Sequence, residues 1–165
     1  MSINSRLADQ IDRFTAGLGQ VVSWCAPAMA FIVFVIVVLR YGFNTGAIAA
    51  QEAVQYLHAS FFMLGAAVTM EADKHVRVDI FYRHFSIRQK AWINTLGHIV
   101  FTLPLCVLLG IGSWSYVVDS WVTLEASPEP GGLPFVYALK TLIPVTAGLL
   151  ALQAIAQIVR GLTTL

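Results

Sequence analysis

Four histidines, two cysteines and nine acidic residues are the chain's candidates for metal, redox or proton chemistry. His58 and His98 lie inside long apolar stretches, where an imidazole pair would suit the axial ligands of a haem. Depth opposes that use. In the orientation derived below, His58 lies about four residues outward of the midpoint of its stretch, roughly 6 Å. His98 lies about six or seven residues inward of its own, roughly 10 Å. The vertical gap is on the order of 15 Å at about 1.5 Å per residue. Two ligands on one metal sit about 4 Å apart, with bonds of about 2 Å each. A hydrogen-bonded, helix-packing histidine is the favoured reading for both. Cys25 and Cys106 fall within apolar helices and read as small apolar side chains. Walker, GxGxxG, CxxC and HExxH motifs are absent, and no carboxylate pair falls inside an apolar stretch. A self-sufficient proton-coupled pump needs ionisable residues within the membrane and is disfavoured. Arg40 and Glu52 flank one connection and read either as a pair or as two solvated charges, with weight on the second, because exposed pairs contribute only about 0–1 kcal/mol. No catalytic, cofactor or metal residue is assigned.

The elements that hold these residues follow from composition. Of 165 residues, 58% are apolar and 12% charged, with a mean hydropathy of +0.74 and a net charge of +1. Soluble domains carry about 25% charged residues. So few charges cannot cover a soluble surface, and disorder requires low hydrophobicity. The chain therefore reads as an integral membrane protein. Four runs lack Lys, Arg, Asp and Glu: Phe14–Leu39 (26 residues), Ala53–Met70 (18), Ala91–Val118 (28) and Thr141–Val159 (19). About 20 apolar residues cross a hydrocarbon core of about 30 Å as a helix. Four transmembrane helices are expected, at about 15–40, 52–71, 87–118 and 135–160, in one domain spanning 1–165. The first run exceeds the roughly 7–15 apolar residues of a cleavable signal and is read as a retained helix.

Basic residues set the orientation. With the N-terminus inside, Arg6, Arg13, Lys74, Arg77, Arg83, Arg88, Lys90 and Arg160 are inner, and only Arg40 and Lys140 are outer. Both termini are expected to face the cytoplasm. The outer connections hold Glu52, Asp119, Glu125 and Glu129. Trp114, Tyr116 and Trp121 fit an outer aromatic belt, and Trp92 an inner one.

Ile3, Leu7, Ile11, Phe14 and Leu18 recur at helical spacing, so a short surface helix is expected to lead into the first span. In the inner connection 71–90, Val78, Phe81, Tyr82 and Phe85 follow the i, i+3, i+4, i+7 pattern. An amphipathic helix over about 76–85, lying in the membrane interface, is expected. Ser86 and Gln89 give a capping box for the third span. Pro104 and Pro144 predict kinks or local breaks. The outer stretch Ser127–Pro134 holds three prolines and two glycines, which forbid a helix and favour a rigid turn. It reads equally as an ordinary loop or as a docking surface. Gly65, Ala66 and Ala67 permit close helix approach, as do Gly110 and Gly112.

These residues together resemble a family. Arg40-Tyr41-Gly42-Phe43-Asn44, Gln51-Glu52, Tyr56-Leu57-His58, Phe62–Ala67 and above all Asp73-Lys74-His75-Val76-Arg77-Val78-Asp79, with its HxRxD pattern, are similar to the small, DctQ-like membrane subunit of TRAP (tripartite ATP-independent periplasmic) transporters. Ser127–Pro134 resembles an outer loop of one branch of that family. The likeness covers nearly the whole chain and implies a non-enzymatic scaffold without a cofactor, in a secondary active importer of the bacterial inner membrane. Its implied partners are a large membrane subunit, a periplasmic solute-binding protein and membrane lipids, with sodium the usual coupling ion. It also implies a structural role for His75, Arg77 and Asp79 in fixing the inner interfacial helix. Arg83 joins them as a lipid-facing charge of that helix, and Arg40, Glu52 and Glu129 are the outer contact candidates. Gln51 stands where the family often has an acid before Glu52. The alternative from another class is a membrane anchor subunit of a redox enzyme; a small self-contained exporter is a further rival.

Overall fold

The computed structural model describes residues 3–73, 82 and 84–164. It is all-α, without a strand among the described residues. Four helical stretches are long and apolar enough to cross a membrane: Arg6–Phe43, Ile48–Glu71, Ile87–Val122 and Val136–Thr163. The end carrying both termini is labelled inner, after the basic-residue bias.

The first stretch is two helices, α1 (Ile3–Ser23) and α2 (Cys25–Phe43), meeting at Trp24. Pro27 has no N–H to bond the Ser23 carbonyl, so the ladder is interrupted there. It resumes where Ala28 N–H donates to Trp24 O at 3.2 Å. α2 ends at Asn44, whose φ of 53° is a left-handed cap that returns its N–H to Leu39 O. The second span is α3 (Ile48–Glu71). The third is broken into α4 (Ile87–Gly97), a π-helical turn (His98–Thr102), α5 (Leu103–Gly112) and α6 (Trp114–Val122). Ser86 and Gln89 form the expected capping box, with Gln89 N–H on Ser86 Oγ at 3.3 Å and Ser86 N–H on Gln89 Oε1 at 2.9 Å. The π turn lies just before Pro104, where the missing N–H and the ring's crowding of the preceding turn favour a wider i→i+5 register. The fourth span, α7 (Val136–Thr164), continues through Pro144 without a break.

The spans stand in a row rather than a closed bundle. α2 packs on α3, α3 on α7, and α7 on α4, the π turn, α5 and α6. The order is therefore first, second, fourth, third. α1 lies across the row on both α3 and α7. Membrane packing explains what the seams contain. Lipid tails are as apolar as leucine, so burial of large apolar groups drives little and close backbone approach drives more. The buried set is accordingly small: Ala8, Ala67, Ala147, Ala154, Ala156, Thr15, Thr95 and Ser120 are among it. Large apolar side chains such as Phe31, Phe34, Phe62, Phe101 and Leu108 point outward.

α1 differs from the expected surface helix. It is built into the row, with Ala8, Thr15 and Val22 buried at seven-residue intervals. Gly19 belongs to the same seam: a Cβ there would lie 2.7 Å from Val68 Cγ1. Leu7, Phe14 and Val21 face away and are exposed. The polar side turns toward protein because it finds a partner there. Arg160 of α7 pairs with Asp12 and lies 3.4 Å from Asp9. Gln153, fully buried on α7, donates to Asp12 Oδ1 at 2.9 Å and accepts from Thr15 Oγ1 at 3.2 Å. Charges at membrane depth are tolerated when they pair in this way.

Close approach occurs elsewhere than expected. A Cβ on Gly65, Gly110 or Gly112 would meet nothing within 4 Å. Gly161 is the tight position on α7, where a Cβ would collide with Thr95 Oγ1 of α4.

Candidate functional site

The outer connection between α6 and α7 is ordered by its own backbone. α6 ends in a Schellman arrangement: Glu125 N–H reaches Ser120 O at 3.0 Å, Leu124 N–H reaches Trp121 O at 3.2 Å, and Leu124 takes a φ of 46°. Ser127 N–H bonds Leu133 O, and Val136 N–H bonds Glu125 O, both at 3.1 Å, which brings the two arms of the loop together. At its tip, Gly132 N–H donates to Glu129 O at 3.0 Å. Pro130 occupies the second position of this turn and Gly131, with φ of 80°, the third. That is a type II turn, which requires a positive φ where Gly131 stands.

Glu52, in the first turns of α3, fastens this loop to the second span. Its Oε2 accepts from Leu133 N–H at 2.6 Å, and its Oε1 accepts from the Ser127 hydroxyl. Ser127 Oγ in turn accepts from Glu129 N–H at 3.1 Å. A side chain at 132 would abolish the fit, because a Cβ there would collide first with Ser127, 2.5 Å from its Cβ, and would also lie 2.7 Å from Glu52 Oε1. Residues 128–131 are left exposed above the clamp. A second attachment joins the loop to α7, where Glu125 pairs with Lys140. The Lys140 ammonium lies 3.9 Å from the Tyr116 ring centroid, a cation–π contact. Lys140 beside it holds the Glu125 carboxyl below its usual range. Trp121 packs against Tyr137 with centroids 4.6 Å apart and ring planes tilted by 59°, and it donates its indole N–H to Thr141 Oγ1 at 2.8 Å.

The expected outer residues separate. Glu52 is taken by the loop and, among the described residues, forms no ion pair with Arg40. Arg40 instead lines a recess of about 390 Å3 between the first two spans, with Asn44, Thr45 and Gln51. Gln51 and Glu52 thus serve different faces of α3. Glu129 is exposed at the loop tip. His75, Arg77, Asp79 and Arg83, with most of the interfacial helix expected over 76–85, lie outside the described residues. Of that stretch, Tyr82 bonds Asn94 of α4, with Asn94 Nδ2 donating at 2.9 Å, and its ring lies 5.3 Å from Lys90 Nζ.

The inner network of Asp9, Asp12, Thr15, Gln153 and Arg160 was not anticipated as a unit. Its one signal in the sequence is Gln153, one of two amides, with Gln157, inside the charge-free fourth run. His58 stacks on Phe62 at 6.4 Å, and His98 Nδ1 lies 3.3 Å from Thr102 Oγ1. They sit on α3 and on the third span, which meet through α7 rather than directly. Among the described residues no three His, Cys, Asp or Glu side chains are grouped to hold a metal ion. The arrangement fastens elements and presents surfaces.

Comparison with known proteins points the same way. Residues 29–164 match the family described as tripartite ATP-independent periplasmic transporters, DctQ component. The chain is 25% identical over 132 residues to the C4-dicarboxylate TRAP transporter small permease protein DctQ of Vibrio cholerae, covering 76% of this chain and 56% of that protein. It is 30% identical over 122 residues to a putative TRAP transporter small permease protein of Haemophilus influenzae, covering 74% and 72%. The chain thus spans little more than half of the first relative's length. No solved structure matches it significantly. The chain belongs to the DctQ component family of the tripartite ATP-independent periplasmic transporters and is a membrane-spanning transport component, not an enzyme.

Proposed function

We propose that this chain, read as a single membrane domain, is a fixed scaffold in a secondary active, sodium-driven importer. It holds a large transport subunit and helps to receive a periplasmic solute-binding protein. The carrying observation is how little of the spans the chain covers with its own residues. In the most apolar window of the first span 6% of residues are buried, and α2 buries none. A single row of helices is suited to lie as a wall against a larger membrane protein. The charge-free runs in the middle of the spans leave ion coupling to that partner. The exposed tip at 128–131, held by Glu52 and stiffened by Pro130, is the proposed contact for the binding protein, with Glu129 its charge and Arg40, in its separate outer recess, a second contact. Rigid loops on fixed scaffolds serve recognition well.

The chain is placed in the bacterial inner membrane with both termini cytoplasmic, on the excess of inner basic residues. The segment 76–85, with His75, Arg77, Asp79 and Arg83, is proposed to set depth and tilt against lipid headgroups. The test is uptake in cells carrying R77E together with R83E. Loss of assembly and of uptake is expected; normal assembly and uptake would refute the anchoring role.

A further inference from the structure

α1 sorts its charges between two sides. Asp12 pairs with Arg160 and Asp9 lies 3.4 Å from it, so both aspartates serve the contact with α7. Arg6, Gln10 and Arg13 recur at i, i+4 and i+7 on the side opposite the buried Ala8 and Thr15, and all three are exposed. Neither guanidinium has an ion-pair partner among the described residues. The two stand about two turns apart, roughly 10 Å along the helix axis. Beside this stripe runs an apolar one, Leu7, Phe14 and Val21, which are 56%, 60% and 69% exposed. The helix also changes depth. Its first half is level with Arg160, in the last turns of α7. Gly19 reaches Val68, and Val22 reaches the recess beside Phe61 and Phe62, nearer the middle of α3. The arginines are therefore at the depth of lipid headgroups, and Val21 is at the depth of acyl chains.

We propose that the outward face of α1 binds one molecule of a phospholipid with two phosphates, that is, cardiolipin. A guanidinium presents a planar fork of donors that matches a phosphate, and it stays charged. Two such forks, held on one face two turns apart, call for two phosphates tied together. A lipid with one phosphate satisfies only one of them. Cardiolipin carries its pair on a single short glycerol, which the long arginine side chains can converge on from either end. Gln10 stands between the two arginines, and its amide donates to the nearer phosphate oxygens or to the bridging hydroxyl. Leu7, Phe14 and Val21 run alongside to receive the acyl chains, which is why lipid suits this face better than an acidic protein segment. The inference is independent of the scaffold reading, since it concerns a lipid held by this chain's own first helix.

The test is native mass spectrometry of the full chain, extracted with whatever proteins it retains. The sample is exchanged into cardiolipin, phosphatidylglycerol and phosphatidylcholine at equal phosphate. One cardiolipin per chain is expected to survive delipidation, with about tenfold preference over phosphatidylglycerol, the size of one further charge-assisted hydrogen bond. R6Q and R13Q should each lower cardiolipin retention about tenfold, to the level of phosphatidylglycerol. The two together should leave no preference between these lipids. Circular dichroism and elution volume check the fold of each variant. Equal retention of cardiolipin and phosphatidylglycerol by the unaltered chain would overturn the proposal whatever the variants do. A cardiolipin preference that persists in the double variant would place the lipid elsewhere on the chain and overturn it as well. So would a double variant that keeps its cardiolipin but releases a retained protein, since the face would then belong to that protein.

Discussion

Replacing Glu52 by alanine should free the outer loop, and the size of the effect follows from what Glu52 holds. Its two oxygens accept from Leu133 N–H and the Ser127 hydroxyl. A hydrogen bond to a charged group contributes ~1.5–3 kcal/mol. The carboxylate is half-buried, so the lower end applies to each, and the pair together contributes about 3 kcal/mol against loop opening. That corresponds to roughly 150-fold faster amide exchange in the peptide covering 125–136. Glu52→Gln keeps one acceptor oxygen but no charge and should fall between. Gly132→Ala should approach the alanine effect with Glu52 untouched, because the new Cβ would collide with Ser127 on the opposite arm and sit 2.7 Å from Glu52 Oε1, pushing the arms apart. The assay is hydrogen exchange with mass detection in lipid nanodiscs, with the peptide covering 86–97 as an internal control. If exchange over 125–136 is unchanged in both Glu52→Ala and Gly132→Ala, the clamp does not hold the loop in the membrane-embedded protein.

Three further outcomes follow. Glu125 has its folded pKa lowered by Lys140, so the stability it contributes is present above the ordinary carboxylate value of 4.5 and is lost as pH falls through the lowered one. Fluorescence of Trp121, bonded to Thr141 next to Lys140, should therefore hold steady at neutral pH and change only below about pH 4.5, and Lys140→Met should move that change upward. Gln153→Leu leaves Asp12 and Thr15 without their amide partner, at a cost of about 1–3 kcal/mol. Faster tryptic cleavage at Arg13, with the outer loop unaffected, would register the loosened α1. Gly161→Ala overpacks the α4–α7 seam by about 1–3 kcal/mol; the melting temperature should fall, and Thr95→Ala in the same chain should restore it by removing the atom that collides.

What was legible in the sequence was what charge and chain chemistry dictate locally. Charge placement exposed the four spans, because ionisable groups are costly in lipid wherever the chain runs. Ser86 with Gln89 announced the start of the third span, and Pro104 its irregular turn. The prolines and glycines of 127–134 announced a turn with a fixed shape. Pairings over long separations stayed hidden. Nothing near Glu52 indicates Leu133, 81 residues later. The order of the row was equally hidden, since lipid-facing and protein-facing sides are both apolar. α1 was misread for a related reason. Its periodicity showed one polar face, but not that Arg160 and Gln153 of the last helix would receive it. Gly19, Gly132 and Gly161 look like any other glycine until the partner surface, Val68, Ser127 with Glu52, or Thr95, is in place.

The central claim is that the chain supports a larger transport subunit. Its most direct test is to purify the tagged chain from its native membrane in mild detergent and weigh the intact assembly. The account predicts a fixed ratio of this chain to one much larger polytopic membrane protein. It also predicts that the chain reconstituted alone carries no solute, while the assembly does so when a binding protein is supplied. A chain that elutes alone and transports alone, or one that retains a soluble flavin or iron–sulfur subunit instead, would contradict it.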